Sequence, residues 1–472
     1  MHLKSFKSRF CSRLRDTKKT CDEKRYDKII TNYLKNKSQI NFLIMEEKSF
    51  TTAPEDNEAD YVDLRVMTLN CWGLYGVSSL RNERMHAIAK YLAESDFDIV
   101  LLQEVWCQED FDLIALVIRD TYPHSLNFDQ GIIGSGTCIF SRYRLSNANF
   151  HEFAMNGYPL KFWHGDWFAA KGLGVCQLEV KGIDVTLFLS HYHAEYDPNH
   201  DIYLGHRVIH GLESAQWLNM TAGATDLTLY CGDFNTEPES VPYKLLRNIV
   251  PLNDAWVEFT GEPFGGETNE IKENSFTPLS KSKAKRIDYI MYRAGPGIEA
   301  ETVNCWLPLP NRVPDKSYSY SDHEAVAAII RVRQACSRDG DHHKRGPAFR
   351  RHLSFNTRSD TVVAVQEAID IVDKSLKTVD SDQTKYVLYS FFLLLILVLS
   401  FIPVVLKPDW AMALDMTLFV PRFFLSSFLL IFFLMATLFN KRERNALTST
   451  KKELQLIIEQ DYGYGTFTQS SS

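Results

Sequence analysis

The chain's 472 residues could hold two or three average domains, or one large α/β enzyme with appendages. Hydrophobic content of 45% and charged content of 24% are ordinary globular values. A formal net charge of −7 argues against a general nucleic-acid binder, which is usually basic.

The average hides an asymmetry. Residues 1–44 carry twelve Lys/Arg against four Asp/Glu and no long apolar stretch, so they read as a basic, disordered extension rather than a signal peptide. Interspersed Asp16, Asp22, Glu23 and Asp27 weaken a mitochondrial presequence, and Met45 offers an alternative start. Residues 45–60 are acidic and polar, which makes 1–60 a basic then acidic N-terminal extension. Organised sequence begins at Leu64. Strands are expected at 64–69, 98–102, 136–140, 174–180, 185–190, 227–231, 286–292 and 325–332, and helices at 81–94, 110–118, 201–221 and 240–248. This mixed order without a clean βαβ repeat implies a layered α/β domain over 61–335, two sheets faced by helices. The nine cysteines include no C-x-x-C pair, and reduced, buried thiols in a cytosol-facing domain account for them.

From 336 to 384 the chain reads as a polar linker with a short amphipathic helix at Val362–Lys377. Tyr386–Leu406 is then a run of 21 uncharged residues, enough to cross a hydrocarbon core of ~30 Å. A second run, Met416–Phe439, is interrupted by Arg422, expected to snorkel to the interface beside Asp409 and Trp410. Two spans joined by a short loop form a hairpin within 385–440. Lys385 before it, and Lys441, Arg442 and Arg444 after it, place the catalytic domain and the 441–472 tail in the cytosol. The hairpin shows no acid or base pair that would imply transport, so it reads as an anchor.

Chemistry-bearing residues recur where strands end. Asn70 closes LRVMTLN, Gln103-Glu104 closes DIVLLQE, and His191 follows VTLFLS. Asp233 and Asn235 follow LTLYCG, Asp288 sits in KRIDYIMY, and Asp322-His323 precedes the last strand. Such residues can converge on one sheet edge. Oxygen ligands suit a hard cation such as Mg²⁺ rather than Zn²⁺. Histidines and carboxylates without a Ser or Cys elbow favour direct attack by water.

The segments LNCWG (69–73), QEVW (103–106), SGTCIFSRY (135–143), SHYHAEY (190–196), CGDFN (231–235), RIDYI (286–290) and SDHEA (321–325) resemble the endonuclease/exonuclease/phosphatase superfamily. NGYPLKFWHGDWFAAKGLGV (156–175), HAEYDPNHDIYLGHR (193–207) and the hairpin narrow the resemblance to neutral sphingomyelinases. The resemblance implies a DNase I-like, α+β four-layer sandwich that cuts sphingomyelin to ceramide and phosphocholine with Mg²⁺ or, in its place, Mn²⁺. It implies that Glu104, supported by Asn70, binds the metal, with Asp322 at a second metal position or beside His323. His323 then matches the general base and Asp288 the carboxylate that orients it. Asp233 and Asn235 match the residues that hold the water and a phosphate oxygen, and His191 faces the phosphate. Asp166 and Lys171 match a P-loop-like stretch linked to activation and substrate access, without the glycine spacing that binds a nucleotide. His193, Tyr196 and Arg207 read as supporting residues.

Partners so implied are a phospholipid substrate and the bilayer, with no nucleic acid or nucleotide, at the endoplasmic reticulum or a connected membrane. A lysophospholipid-specific phospholipase C, a nuclease or inositol phosphatase of the same superfamily, and a non-enzymatic membrane scaffold are the alternatives.

Overall fold

The computed structural model describes residues 61–221, 225–278, 280, 283–334, 355–406 and 411–467. The basic extension, the polar stretch 335–354 and Asp409–Trp410 lie outside the described residues. In chain order the first half holds β1 (Val62–Asn70), α1 (Arg81–Glu94), β2 (Ile99–Gln103), α2 (Gln108–Ile118), β3 (His124–Asn127), β4 (Cys138–Ser141), β5 (Ser146–Glu152), β6 (Gly172–Val180) and β7 (Ile183–His191). There follow α3 (Leu204–Thr221), β8 (Leu227–Asp233), α4 (Val241–Ile249), β9 (Asn253–Asp254), α5 (Ala255–Thr260), β10 (Asp288–Ala294), β11 (Ile298–Trp306) and β12 (Val326–Gln334). Among the described residues the strands form two six-stranded sheets, β11-β12-β1-β2-β4-β3 and β5-β6-β7-β8-β10-β9.

Strand alternation builds the layers. Leu64, Val66, Ile99 and Leu101 of the first sheet meet Cys176, Leu187, Leu229 and Ile290 of the second in one core. The intervening residues point the other way: Met67, Leu69, Val100 and Leu102 bury against Met85, Ile88, Leu92 and Ile114 of α1 and α2. On the far side Phe188, Tyr230 and Met291 pack under Ala215, Leu218 and Leu246 of α3 and α4. The result is the expected helix–sheet–sheet–helix sandwich. The strands not expected from sequence are β3, β5, β9 and β11. β3, β5 and β11 carry mostly exposed or half-buried residues at or near sheet edges, and β9 is two residues long, so the apolar signal is weak. All six described cysteines are unpaired thiols, five of them buried.

The C-terminal region differs in one respect from expectation. Val362–Lys377 lies in the first half of a single 45-residue helix, α6 (Phe355–Leu399), that continues into the first apolar run. The change at Tyr386 is one of surroundings, not of conformation. Val365, Ala368, Ile369 and Val372 of α6 pack with Val208, Leu212 and Leu245 of the sandwich. Gly205 makes that approach possible, since a Cβ there would fall 2.3 Å from Ser375 Oγ. After α7 (Ile402–Leu406), α8 (Ala411–Leu434) returns, passes through a π-turn at Met435–Phe439 and continues as α9 (Asn440–Phe467). Leu447 and Leu454 of α9 complete the cluster on the sandwich.

Beyond that dock, the apolar windows of the two long helices are 0% and 6% buried in protein. Core helices would be enclosed, so these two candidate spans indicate membrane association. Arg422 does not stand alone at the interface. It pairs with Asp415 and donates to Ser400 Oγ (2.9 Å) and to the Ser400 carbonyl (2.5 Å), at the break that precedes Pro403. A carbonyl at the helix break is thus capped from the neighbouring helix. Asp415, one residue before the expected second run, supplies a partner the sequence reading had not assigned.

Leu454 is fully buried between α9 and the sandwich. Leu454→Ala should cost about 2–5 kcal/mol, read as a lower unfolding temperature in detergent together with faster proteolysis at the dock.

Candidate active site

Register brings the strand-end residues together. β7 and β8 run parallel with His191 opposite Asp233, and β10 pairs antiparallel to β8 with Asp288 opposite the same Asp233. Three site residues therefore lie in one row at the end of the second sheet. From the first sheet, β1 and β2 end in parallel at Asn70 and Gln103, which delivers Asn70 and Glu104 to the facing edge. The sheets are tied across the core by one amide: Asn70 Nδ2 donates to Glu104 Oε1 (3.1 Å) and to Asp233 Oδ2 (2.9 Å).

The chain leaves these strands in strained turns. Trp72, Glu104 and Asn235 have φ of 47°, 58° and 45°, the left-handed region that costs roughly 1–3 kcal/mol away from glycine. Two of the turns are held by the site residues themselves, as Asn70 Oδ1 accepts from Trp72 N and Asp233 Oδ1 from Asn235 N, both at 2.9 Å. Asn235 Nδ2 donates in turn to the Tyr192 carbonyl (3.0 Å). The strain aims Glu104 into the cleft, and Gly73 makes room for it.

His323 Nδ1 lies 2.9 Å from Asp288 Oδ2, and its Nε2 lies 3.9 Å from Asp233 Oδ2. Thr268 fixes Asp288 by donating its hydroxyl at 2.6 Å while accepting from the backbone of 287 and 288. Burial, then Asp288, pushes the Asp233 carboxyl up to about 7. Burial pushes Asp322 up to about 6. Burial alone would lower His323, but Asp288, Asp233 and Asp322 outweigh it and hold the imidazole well above its ordinary value.

His191 occupies the other wall, its Nε2 3.6 Å from Asp233 and 4.0 Å from Glu104. Burial, with the Lys171 ammonium 2.9 Å from Nε2, keeps this ring well below the usual histidine range and hence neutral. Lys171 in turn lies 3.1 Å from Asp166. Burial would raise Asp166, but Lys171 and then His193 hold it below the carboxylate range, and Tyr196 donates to it at 2.8 Å. The Asp166–Lys171 pair is thus connected to the site through His191. Of the supporting residues, His193 stacks on Tyr203 at 3.8 Å, while Arg207 pairs with Asp201.

Asp233, Asp288 and His323 offer atoms within 4.8 Å of one another that could hold a metal ion. The expected ligands Glu104, Asn70 and Asp322 lie alongside. Asn70 presents its nitrogen to both carboxylates, so ligation through its oxygen requires the amide to turn. Ser321 places Asp322 by donating to Asp322 Oδ1 (3.3 Å) and to the Asn70 carbonyl (2.6 Å). Several carboxylates around one imidazole, with Asp288 Oδ1 buried and, among the described residues, without a hydrogen-bond partner, fit a divalent cation.

Three contributors to the site are not expected from the sequence. Thr268 lies in a loop with no signal around it. Buried Arg84 donates to the carbonyls of Cys71, Trp72 and Tyr320, pinning the loops on either side of the site. Trp106, inside the QEVW segment, reaches Glu104 Oε2 at 3.4 Å. A Cβ at Gly73 would fall 2.1 Å from the Glu104 carbonyl oxygen. Gly73→Ala should therefore lose about 1–3 kcal/mol of stability and displace Glu104, seen as a lower unfolding temperature and weakened Mn²⁺ binding by electron paramagnetic resonance.

Residues 67–323 match the model of the Endonuclease/Exonuclease/phosphatase family. A putative neutral sphingomyelinase of Drosophila melanogaster is 31% identical over 86% of this chain and 99% of its own length. Sphingomyelin phosphodiesterase 2 of Homo sapiens is 35% identical over 61% of this chain and 70% of its own. Among solved structures, a mutant beta toxin of Staphylococcus aureus with bound magnesium ions covers 57% of this chain and 99% of its own, at 19% identity and a TM-score of 0.45. Family model, relatives and site agree, and the chain belongs to the endonuclease/exonuclease/phosphatase family, within its neutral sphingomyelinase group of phosphodiesterases.

Proposed function

We propose that this protein hydrolyses sphingomyelin to ceramide and phosphocholine by Mg²⁺-assisted, in-line attack of water. The observation that carries the reading is the Asp288–His323 pair at 2.9 Å, with the free edge of the imidazole directed toward Asp233. In this reading His323 Nε2 takes the proton of the attacking water, and Asp288 fixes the ring through Nδ1. Asp233 and Asn235 hold the water and a non-bridging phosphate oxygen. Neutral His191, backed by Lys171, faces the departing alkoxide of ceramide, and the Lys171 charge makes an imidazole proton more readily given. Glu104 holds the cation, supported by Asn70 and Asp322. When bound, that cation neutralises the phosphate oxygens and the leaving oxyanion, and offsets the carboxylate charge that raises His323.

The apolar helices supply the second argument, since a lipid substrate stays in its bilayer. The reading places the catalytic domain and the C-terminal tail in the cytosol, on the flanking charges of Lys385, Lys441, Arg442 and Arg444. It places the protein in the endoplasmic reticulum or a connected membrane.

With full-length protein and mixed micelles, His323→Ala should lower phosphocholine release from sphingomyelin by about 10²–10⁴-fold, measured below the unfolding temperature of the variant. Lysophosphatidylcholine and lyso-platelet-activating factor run in parallel decide the lipid. Faster release from either would replace sphingomyelin as the substrate, and undiminished activity of His323→Ala would remove the base assignment. Protease protection in sealed microsomes tests the topology, with tail and catalytic domain both expected to be digested from the outside.

A further inference from the structure

The hydrolytic reading leaves unused a groove of about 260 Å³ between the 152–170 segment and the point where the returning helix leaves the apolar zone. Its apolar part sets three aromatic rings beside Ile132 and Met155: Trp167 meets Phe168 edge-on at 5.0 Å and Phe439 at 6.3 Å. Its polar part accepts. Asn156 Oδ1 and Glu443 Oε1 are enclosed and, among the described residues, have no hydrogen-bond partner. Glu152 adds a second carboxylate, its Oε1 taking the Asn156 amide at 3.2 Å. Arg442, an exposed residue, also lines the groove.

Aromatic faces beside carboxylates, with one arginine in the lining, favour a cation that carries an anion a few atoms away. Quaternary ammonium groups are bound by such aromatic and acidic surroundings, and a phosphate pairs with arginine. Phe439 also closes the second apolar run, which sets the groove at the level of the bilayer surface. A volume of about 260 Å³ lies below the usual range for sites that enclose a whole drug-sized ligand. It suits a headgroup whose chains remain in the membrane.

We propose that this groove is a second lipid site, taking the phosphocholine headgroup of a phospholipid in the adjoining leaflet. The trimethylammonium lies against Trp167, Phe439 and Glu443, and the phosphate lies at Arg442. Burial, then Asp382, pushes the Glu443 carboxyl up to about 8, and an ammonium seated there restores its charge. The strap that carries Trp167 and Phe168 also carries Asp166 and Lys171, so an occupant braces the turn that holds Lys171 against His191. Sphingomyelin and phosphatidylcholine share this headgroup, and the site does not depend on which lipid is cleaved.

The test uses full-length protein in nanodiscs containing a trace of lipid with a photoactivatable headgroup, and maps adducts by mass spectrometry. Phosphatidylcholine and sphingomyelin probes should both label 152–170 and 439–443, and a phosphatidylglycerol probe should not. Glu443→Gln and the exposed Arg442→Gln should each cut that labelling about tenfold, the scale of one lost charged contact, with unchanged unfolding temperatures. His323→Ala should lower hydrolysis about 10²–10⁴-fold and leave this labelling intact, which separates failure of the groove from failure of the catalytic reading. Equal labelling by phosphatidylglycerol, or labelling that survives both variants, would overturn the proposal. Labelling by sphingomyelin alone, lost in His323→Ala, would assign the adducts to the catalytic cleft and also overturn it.

Discussion

Glu104, Asp233, Asp288 and Asp322 sit at one largely buried edge, where carboxylates repel one another and lose their water. Each is held by something that offsets that cost. The Asn70 amide bridges Glu104 and Asp233, His323 stands between Asp233 and Asp288, and Thr268 and Ser321 supply hydroxyl donors. The surrounding fold can be understood as what keeps these groups in place. The paired register of β7, β8 and β10 spaces His191, Asp233 and Asp288 in a row, while β1 and β2 bring Asn70 and Glu104 from the opposite sheet. Left-handed residues at 72, 104 and 235 turn the chain away immediately afterwards. A divalent cation is the species that makes such a concentration of negative charge favourable, and the same cation is what phosphodiester cleavage needs.

Much of this was legible in the sequence because catalytic residues here follow apolar runs directly. A strand such as LTLYCGD announces both its burial and the position of the group at its end. The legible part fails where the signal is carried by a single residue or by an exposed surface. Thr268 and Arg84 act through contacts to distant backbone, from loop and helix positions that look ordinary. Edge strands β3, β5 and β11 expose much of their polar side chains and so lose the alternation that marks an interior strand. Helix α6 keeps one conformation while its surroundings change from protein to apolar zone, so composition suggested a boundary the backbone does not have. Arg422 was legible as an unusual charge, but not its pairing with Asp415 on the same helix or its contact with Ser400 across the hairpin.

The dock between the C-terminal helices and the sandwich gives the architecture a functional sense. Val365, Val372, Leu447 and Leu454 bind the helices to α3 and α4, so the candidate spans leave the sandwich as a continuation of its core. Trp167 meets Phe439 at the same junction, on the strap that carries Lys171 to His191. One wall of the cleft is therefore within a few residues of the end of the apolar zone. For an enzyme whose substrate stays in a bilayer, that places headgroup chemistry where headgroups are.

The central claim is that the carboxylate edge works by holding a divalent cation through Glu104. It is tested most directly by phosphocholine release from sphingomyelin as a function of free Mg²⁺ after complete chelation, for wild type and Glu104→Gln. The account predicts no release without the cation, full recovery on its return, and at least about a tenfold higher Mg²⁺ requirement in Glu104→Gln, as expected when a charged ligand is lost. Release that persists under chelation, or an unchanged Mg²⁺ requirement in the variant, would contradict it.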